Sequence, residues 1–166
     1  SYLYVDVGGG STELTLFDQG VCIDSASFNI GTLRWLQGKV SMDQWEGMKK
    51  WTQEVTEGHK PLTAIGSGGN INRIFKLLGR KDRPLHFQML KSLYDDMKSH
   101  SVEEIMEIWN LNPDRADVIV PAAKIYLTVM KAAQINEMIV PQVGLVNGII
   151  HRLHESYKQK SALQKI

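Results

Sequence analysis

Apolar and polar residues alternate along the first thirty positions. Leu3, Val5 and Val7 alternate with Tyr2, Tyr4 and Asp6, a period of two that sends each set to one face of a strand. A turn is expected at Gly8-Gly9-Gly10-Ser11, after which Leu14 and Leu16 alternate with Glu13, Thr15 and Phe17. Asp18-Gln19-Gly20 carries a second turn signal, and Val21 to Phe28 reads as a third strand. Three strands joined by short turns form an antiparallel meander.

The period then changes. Gly31 to Gln37 can begin a helix, with Leu33 and Leu36 as apolar contacts. Ser41 is a suitable N-cap for a helix running through Glu57, with Trp45, Met48 and Trp51 or Thr52 on one face. Pro61 to Ile65 is a short apolar strand ending at Gly66-Ser67-Gly68-Gly69. Ile71, Ile74, Phe75 and Leu78 follow helical spacing up to Gly79. Helices are predicted over Phe87 to Met97 and Ser101 to Trp109, the second opened by a Ser101/Glu104 capping box. Pro113 suits the first turn of a long helix to about Ala133, in which Ile119, Ala123, Tyr126 and Met130 share a face and Pro121 is expected to kink or divide the run. Met138 to Val140 is a last strand, Gly144 to about Lys158 a last helix, and Gln159 to Ile166 a polar tail that frays. The order predicts an α/β domain with a mixed five-stranded sheet, flanking helices, and parallel pairing of the later strands.

Composition narrows the class. The 166 residues, 43% hydrophobic and 22% charged, suit one globular domain. With 19 basic and 18 acidic residues the net charge is +1, which argues against a dedicated duplex-nucleic-acid binder. It leaves a phosphate ligand open, because backbone N–H groups hold phosphate with few cations. Cys22 is the one cysteine, so no internal disulfide forms, which suits a reducing, cytoplasmic compartment. There is no apolar run of membrane-spanning length and no signal-peptide pattern, so no membrane association is expected. The chain opens inside a strand-like run without an initiator Met, and is expected to be a piece of a larger protein with the missing part upstream.

The strongest chemical signal is Asp6-Val7-Gly8-Gly9-Gly10-Ser11-Thr12-Glu13. Consecutive glycines at a strand-to-strand turn let a ligand lie against backbone N–H groups, and phosphate is the natural partner of such a nest. If the strands pair around this turn, Asp6 and Glu13 stand together above it. Carboxylates beside a phosphate repel it unless they hold a divalent cation or activate a water. A second signal, Gly66-Ser67-Gly68-Gly69-Asn70, sits between a strand and a helix, where N-terminal amides and the helix dipole favour an anion. A third is Gln142-Val143-Gly144-Leu145-Val146-Asn147-Gly148. The basic stretch Arg73, Lys76, Arg80, Lys81 and Arg83 reads first as a solvated face, and the four tryptophans as core or interface. His151 and His154 lack a third ligand at metal spacing, and Arg115 and Asp117 read as the start of a long helix.

Taken together these residues resemble the exopolyphosphatase / guanosine pentaphosphate phosphohydrolase (Ppx/GppA) family. Asp6 to Glu13 is similar to its Asp-Ile-Gly-Gly-Gly-Ser-x-Glu signature, Ile30-Gly31-Thr32-Leu33-Arg34 to its Leu-Gly-x-x-Arg step, and Gly66 to Gly69 to its Gly-Thr-Gly-Gly turn. Arg115 to Ala123 is similar to Arg-Ala-Asp-x-Ile-x-Pro-Gly-Ala, and Gly144 to Gly148 to Gly-Leu-Arg-Glu-Gly. The resemblance implies the second, C-terminal lobe of a two-lobed, ribonuclease-H-like fold of the actin-like ATPase superfamily, with the N-terminal lobe absent. It implies release of terminal phosphate from polyphosphate or guanosine pentaphosphate in the intact parent, with magnesium as cofactor and weak or no turnover by this lobe alone. Asp6 and Glu13 would be the catalytic and metal-positioning acids. Gly8, Gly9, Gly10 and Ser11 would hold phosphate, with Gly66, Ser67, Gly68 and Gly69 lining the same cleft. The missing lobe of the same protein, and a second copy in a homodimer, are the implied partners.

Three departures change the picture. Asn70 stands where threonine is usual, Ala122 where glycine is usual, and Val146-Asn147 replace a basic–acidic pair. The last change opens an alternative, a nucleotide or polyphosphate sensor without turnover. Another actin-like member, a sugar kinase or chaperone-type ATPase, is disfavoured by the Arg115 to Ala123 segment.

Overall fold

In the computed structural model, which describes residues 1–79 and 83–141, the meander is β1 (Tyr2–Val7), β2 (Thr12–Asp18) and β3 (Val21–Phe28). The alternation of β1 does what its period implies: Leu3, Val5 and Val7 are buried, while Tyr2, Tyr4 and Asp6 face outward. In β2 the buried set is Thr12, Leu14 and Leu16. β3 is an edge strand with no fully buried residue, and a register shift at Leu16/Phe17 adds local twist where it pairs with β2.

The chain continues through α1 (Thr32–Leu36), α2 (Met42–Thr56), β4 (Thr63–Ser67), α3 (Gly69–Leu77), β5 (Leu85–His86), α4 (Phe87–Met97), α5 (Val102–Ile108), α6 (Pro113–Ala132) and β6 (Glu137–Ile139). The sheet has six strands in the order β3-β2-β1-β4-β6-β5, against five expected. The extra strand, β5, is two residues long and pairs antiparallel with β6, too short to show a period of its own. β4 pairs parallel with β1 and with β6, as the strand–helix alternation implies.

The predicted capping box at Ser101/Glu104 is present, and Ser41 makes a second one with Gln44. Of the two outcomes expected at Pro121, division does not occur: α6 runs as one helix for 20 residues. Proline there removes a single i→i−4 hydrogen bond, and α6 is held from outside by α1, α2, α3, α4 and α5, all of which pack against it. The same packing makes one apolar face too narrow a description. Val118, Ala122, Ile125, Leu127 and Val129 are buried along with Ile119, Ala123, Tyr126 and Met130.

The helices share one face of the sheet, where Leu3, Val5, Leu14, Ala64 and Met138 meet Ile71, Phe75, Ile119 and Tyr126. Each buried Leu, Val, Ile, Met or Phe among them contributes roughly 1.5–3 kcal/mol. The other face presents Tyr2, Tyr4, Asp6 and Glu13 outward. Among the described residues, no helix is long and apolar enough to cross a membrane. The predicted helix Gly144 to Lys158, the turn Gln142 to Gly148, His151, His154, the tail Gln159 to Ile166, and Arg80 and Lys81 of the basic stretch lie outside the described residues.

Candidate active site

Antiparallel pairing of β1 with β2 sets Asp6 directly opposite Glu13, and parallel pairing with β4 sets Ser67 on the other side of Asp6. Opposed side chains of an antiparallel pair have Cβ atoms about 4.5–5.5 Å apart. All three residues line a groove of about 580 Å³ on the open face of the sheet, whose far part is formed by Tyr2, Tyr4, Phe17 and Ile65. Ser27 of β3 is opposite Glu13. Glu13 Oε1 accepts hydrogen bonds from Ser11 Oγ (2.6 Å) and Ser27 Oγ (3.1 Å), which fix its orientation. The Ser11 hydroxyl is therefore engaged with Glu13 rather than directed to solvent.

Two like charges in register destabilise each other unless something positive lies between them. Among the described residues neither carboxylate has a Lys or Arg within ion-pair distance. Nor does any group of three or more His, Cys, Asp or Glu converge there. A divalent cation at this point would have two carboxylate ligands and would complete its shell from water and phosphate oxygens. That donor set fits magnesium, which keeps several waters and binds through one or two carboxylates.

The Gly8 to Ser11 turn is held from beneath. Gly8 N–H donates to the Ser11 carbonyl (2.9 Å), while the carbonyls of Gly8 and Gly9 accept from the first amides of α1: Thr32 to Gly8 (3.0 Å), and Leu33 (2.9 Å) and Arg34 (3.1 Å) to Gly9. Arg34 Nε reaches the Gly10 carbonyl at 3.0 Å. With its carbonyls so engaged, the turn leaves the amides of Gly9, Gly10 and Ser11 without a backbone acceptor among the described residues, the arrangement an anion-binding nest requires. The glycines of this turn are not in the left-handed region. What requires small residues here is close approach, and the tightest point is Gly31: a Cβ there would lie 2.4 Å from the Gly9 carbonyl oxygen.

The second turn uses glycine differently. Gly68 has φ of 96°, and a Cβ on it would come within 2.7 Å of Asp6 Oδ1. It precedes α3, whose first amides have no intrahelical partner. Asn70, the departure at this turn, donates to the Val7 carbonyl at 2.9 Å and so ties α3 to the end of β1. Gly66 faces inward: a Cβ there would strike Met138 Sδ at 2.5 Å, so this glycine serves packing of β4 against the core. Ser67 pairs with Asp6 and Gly68 lies against the Asp6 carboxylate.

Two further residues belong to this neighbourhood. Tyr126 of α6 is fully buried and donates to the Ser67 carbonyl at 3.0 Å. Burial, and after it the charge of Asp6, pushes its phenol well above the ordinary value, so it stays a neutral donor. Nothing in its helical spacing distinguishes it from a core residue. Arg115 lies at the start of α6, and a Cβ on Gly69 would stand 3.4 Å from its Nη1, which puts a guanidinium at the N-terminus of α3.

A mixed sheet opening with a three-strand meander, its acid pair at the first turn and a glycine turn after the fourth strand, has the actin-like, ribonuclease-H-like fold. The chain belongs to the Ppx/GppA phosphatase family, whose sequence profile matches residues 1–157. It is 23% identical over 171 residues to a Haemophilus influenzae protein, covering 94% of this chain and 53% of that one. It is also 23% identical over 172 residues to a Vibrio vulnificus guanosine-5'-triphosphate,3'-diphosphate pyrophosphatase, covering 95% and 34% respectively. In fold it is similar to the Aquifex aeolicus Ppx/GppA phosphatase (TM-score 0.75, 24% identity, 90% of this chain and 55% of that one). The likeness extends to an exopolyphosphatase from Cytophaga hutchinsonii (TM-score 0.71, 20% identity, 93% and 57%). The chain thus spans between a third and somewhat over half the length of these proteins.

Proposed function

We propose that this chain is the phosphate-binding lobe of a phosphoanhydride hydrolase that releases the terminal phosphate of inorganic polyphosphate or guanosine pentaphosphate. The observation that carries the reading is the opposition of Asp6 and Glu13 beside a turn with three unengaged amides. In it, the amides of Gly9, Gly10 and Ser11, with those at the start of α3, hold the terminal phosphates, and Arg115 adds a positive charge at the same place. Asp6 and Glu13 hold magnesium, which when bound neutralises phosphate charge and orients water. Glu13, kept in place by Ser11 and Ser27, is the carboxylate that accepts a proton from the attacking water. Asp6, backed by Ser67 and Gly68, positions the metal. Gly66 supports the turn from the core side.

The relatives are longer than this chain, and in our reading a second lobe of the same protein faces the groove and completes the water's alignment, so the lobe by itself turns over slowly. We also propose a cytoplasmic site of action, which the exposed free thiol of Cys22 suits, and a homodimer, which sedimentation of the complete protein tests. The deciding experiment measures phosphate release by the complete protein from polyphosphate and from guanosine pentaphosphate, with and without magnesium. Metal-dependent release from either is the expected result. Binding without release would reassign the protein as a sensor.

A further inference from the structure

Between α1, α5 and α6 lies a pocket of about 250 Å³ that shares no residue with the groove over the acid pair. Its walls are largely apolar: Trp35 and Leu36 of α1, Met97 at the end of α4, Ile105 of α5, and Val120 and Pro121 of α6. Trp35 meets Trp45 edge-on, with ring centroids 5.9 Å apart, which fixes its indole. In this wall stands one carboxylate, that of Asp117. Its Oδ1 is buried and has no hydrogen-bond partner. Among the described residues no Lys, Arg or His lies within ion-pair distance of it. The backbone carbonyl of Asp117 is short of a donor as well, because Pro121, four residues on, has no N–H to give it. The helix dipole does not account for this acid. Asp117 is the fifth residue of α6, past the first turn where the dipole favours a carboxylate and where Asp114 already sits. The cations at the rim are turned to other partners. Lys98 pairs with Asp95 and lies over the Tyr94 ring. His100 donates from Nδ1 to the Asp96 carbonyl at 2.9 Å and sets its ring edge against Trp109.

We propose that this pocket binds a compact organic ammonium ion, whose N–H groups meet Asp117 and whose hydrocarbon body fills the apolar walls. Charge complementarity selects the head group. A neutral ligand leaves Asp117 without a counter-charge, and an anion is repelled by it. The walls select the body. A metal ion would find a single carboxylate, since no group of three or more His, Cys, Asp or Glu converges among the described residues. Trp35, Met97, Ile105 and Val120 instead offer contact to an aryl or branched alkyl group. The volume selects the size: at the packing of liquid water it holds about eight non-hydrogen atoms. The site stands apart from the phosphatase reading, yet is one short helix away from it. α1 supplies Trp35 and Leu36 to the pocket, and its amides at Thr32, Leu33 and Arg34 hold the carbonyls of the glycine turn.

The test titrates the complete protein with benzylammonium, and with benzyl alcohol as a neutral probe of the same shape. Binding is followed by the NMR resonances of the Trp35 indole N–H and the Met97 methyl group. In wild type, benzylammonium should shift both resonances, and benzyl alcohol should bind about tenfold more weakly. Asp117→Asn should weaken benzylammonium binding by about tenfold and leave benzyl alcohol unchanged. Comparison of the two probes on wild type decides the matter even where the variant does not fold. Equal affinity of wild type for both probes overturns the proposal. So does an unaltered affinity for benzylammonium in folded Asp117→Asn. Absence of benzylammonium binding by the complete protein, or binding that leaves Trp35 and Met97 unshifted, overturns it as well.

Discussion

Asp6 with Glu13 and Asp95 with its lysines are two ways of placing carboxylates on one lobe. Asp95 lies between Lys91 and Lys98, whose hydrogen bonds, Lys91 first, hold its carboxyl at about 2. Its charge is matched by Lys91 on the same helix and by Lys98 at that helix's C-cap, at i,i+4 and i,i+3 spacing. Asp6 and Glu13 have no Lys or Arg partner among the described residues: they oppose each other across two strands, with hydroxyl groups beside Glu13. The first arrangement is complete in itself and is legible as ordinary helix-surface chemistry. The second has no such match among the described residues, and that is what singles it out as the candidate site.

The largest expected effect comes from the unmatched pair. Glu13→Gln in the complete protein should lower magnesium-dependent phosphate release by about 10²–10⁴-fold while leaving the melting transition in place or raising it, since one of two repelling charges is removed. Unchanged release would remove Glu13 from the chemistry. The glycines that frame the pair come next. Gly31→Ala forces a Cβ to 2.4 Å from the Gly9 carbonyl, and Gly68→Ala puts one 2.7 Å from Asp6 Oδ1 at φ of 96°. Each should cost about 1–3 kcal/mol in denaturant unfolding. Gly47→Ala on α2, where a Cβ meets nothing within 4 Å, should instead stabilise by up to about 1 kcal/mol. Equal responses at the three positions would show that the turns are not crowded. The smallest effect belongs to Asp95. A carboxylate whose folded value is depressed contributes stability above its unfolded value, 3.8, and that contribution disappears as pH falls through about 2. Asp95→Asn should therefore be slightly less stable than wild type at neutral pH and converge with it toward pH 2, by a small margin because the pair is exposed.

The meander was legible because the period of two in Leu3, Val5, Val7, Leu14 and Leu16 persists on both sides of a glycine turn, and that turn places Asp6 and Glu13 within reach of each other. The capping box at Ser101 and Glu104 and the helix starting at Pro113 were legible for the same reason: local hydrogen bonding and backbone geometry are written in neighbouring residues. Other features were not. β5 is a strand only because β6 lies beside it. Pro121 is tolerated because five helices surround α6. The role of Gly31 shows only when its backbone is set against Gly9 and Gly10, residues more than twenty positions earlier. Tyr126 reads as one more core residue until its hydroxyl is seen on the Ser67 carbonyl.

By itself, the sequence determined the α/β order, the family and the acid pair, because these rest on periodicity and on residues close together in the chain. Tertiary structure alone decided the sixth strand, the crowding at Gly31 and Gly68, and the hydrogen bond from Tyr126. Each of these depends on contacts between segments far apart in the chain, and their spacing there carries no trace of where folding brings them.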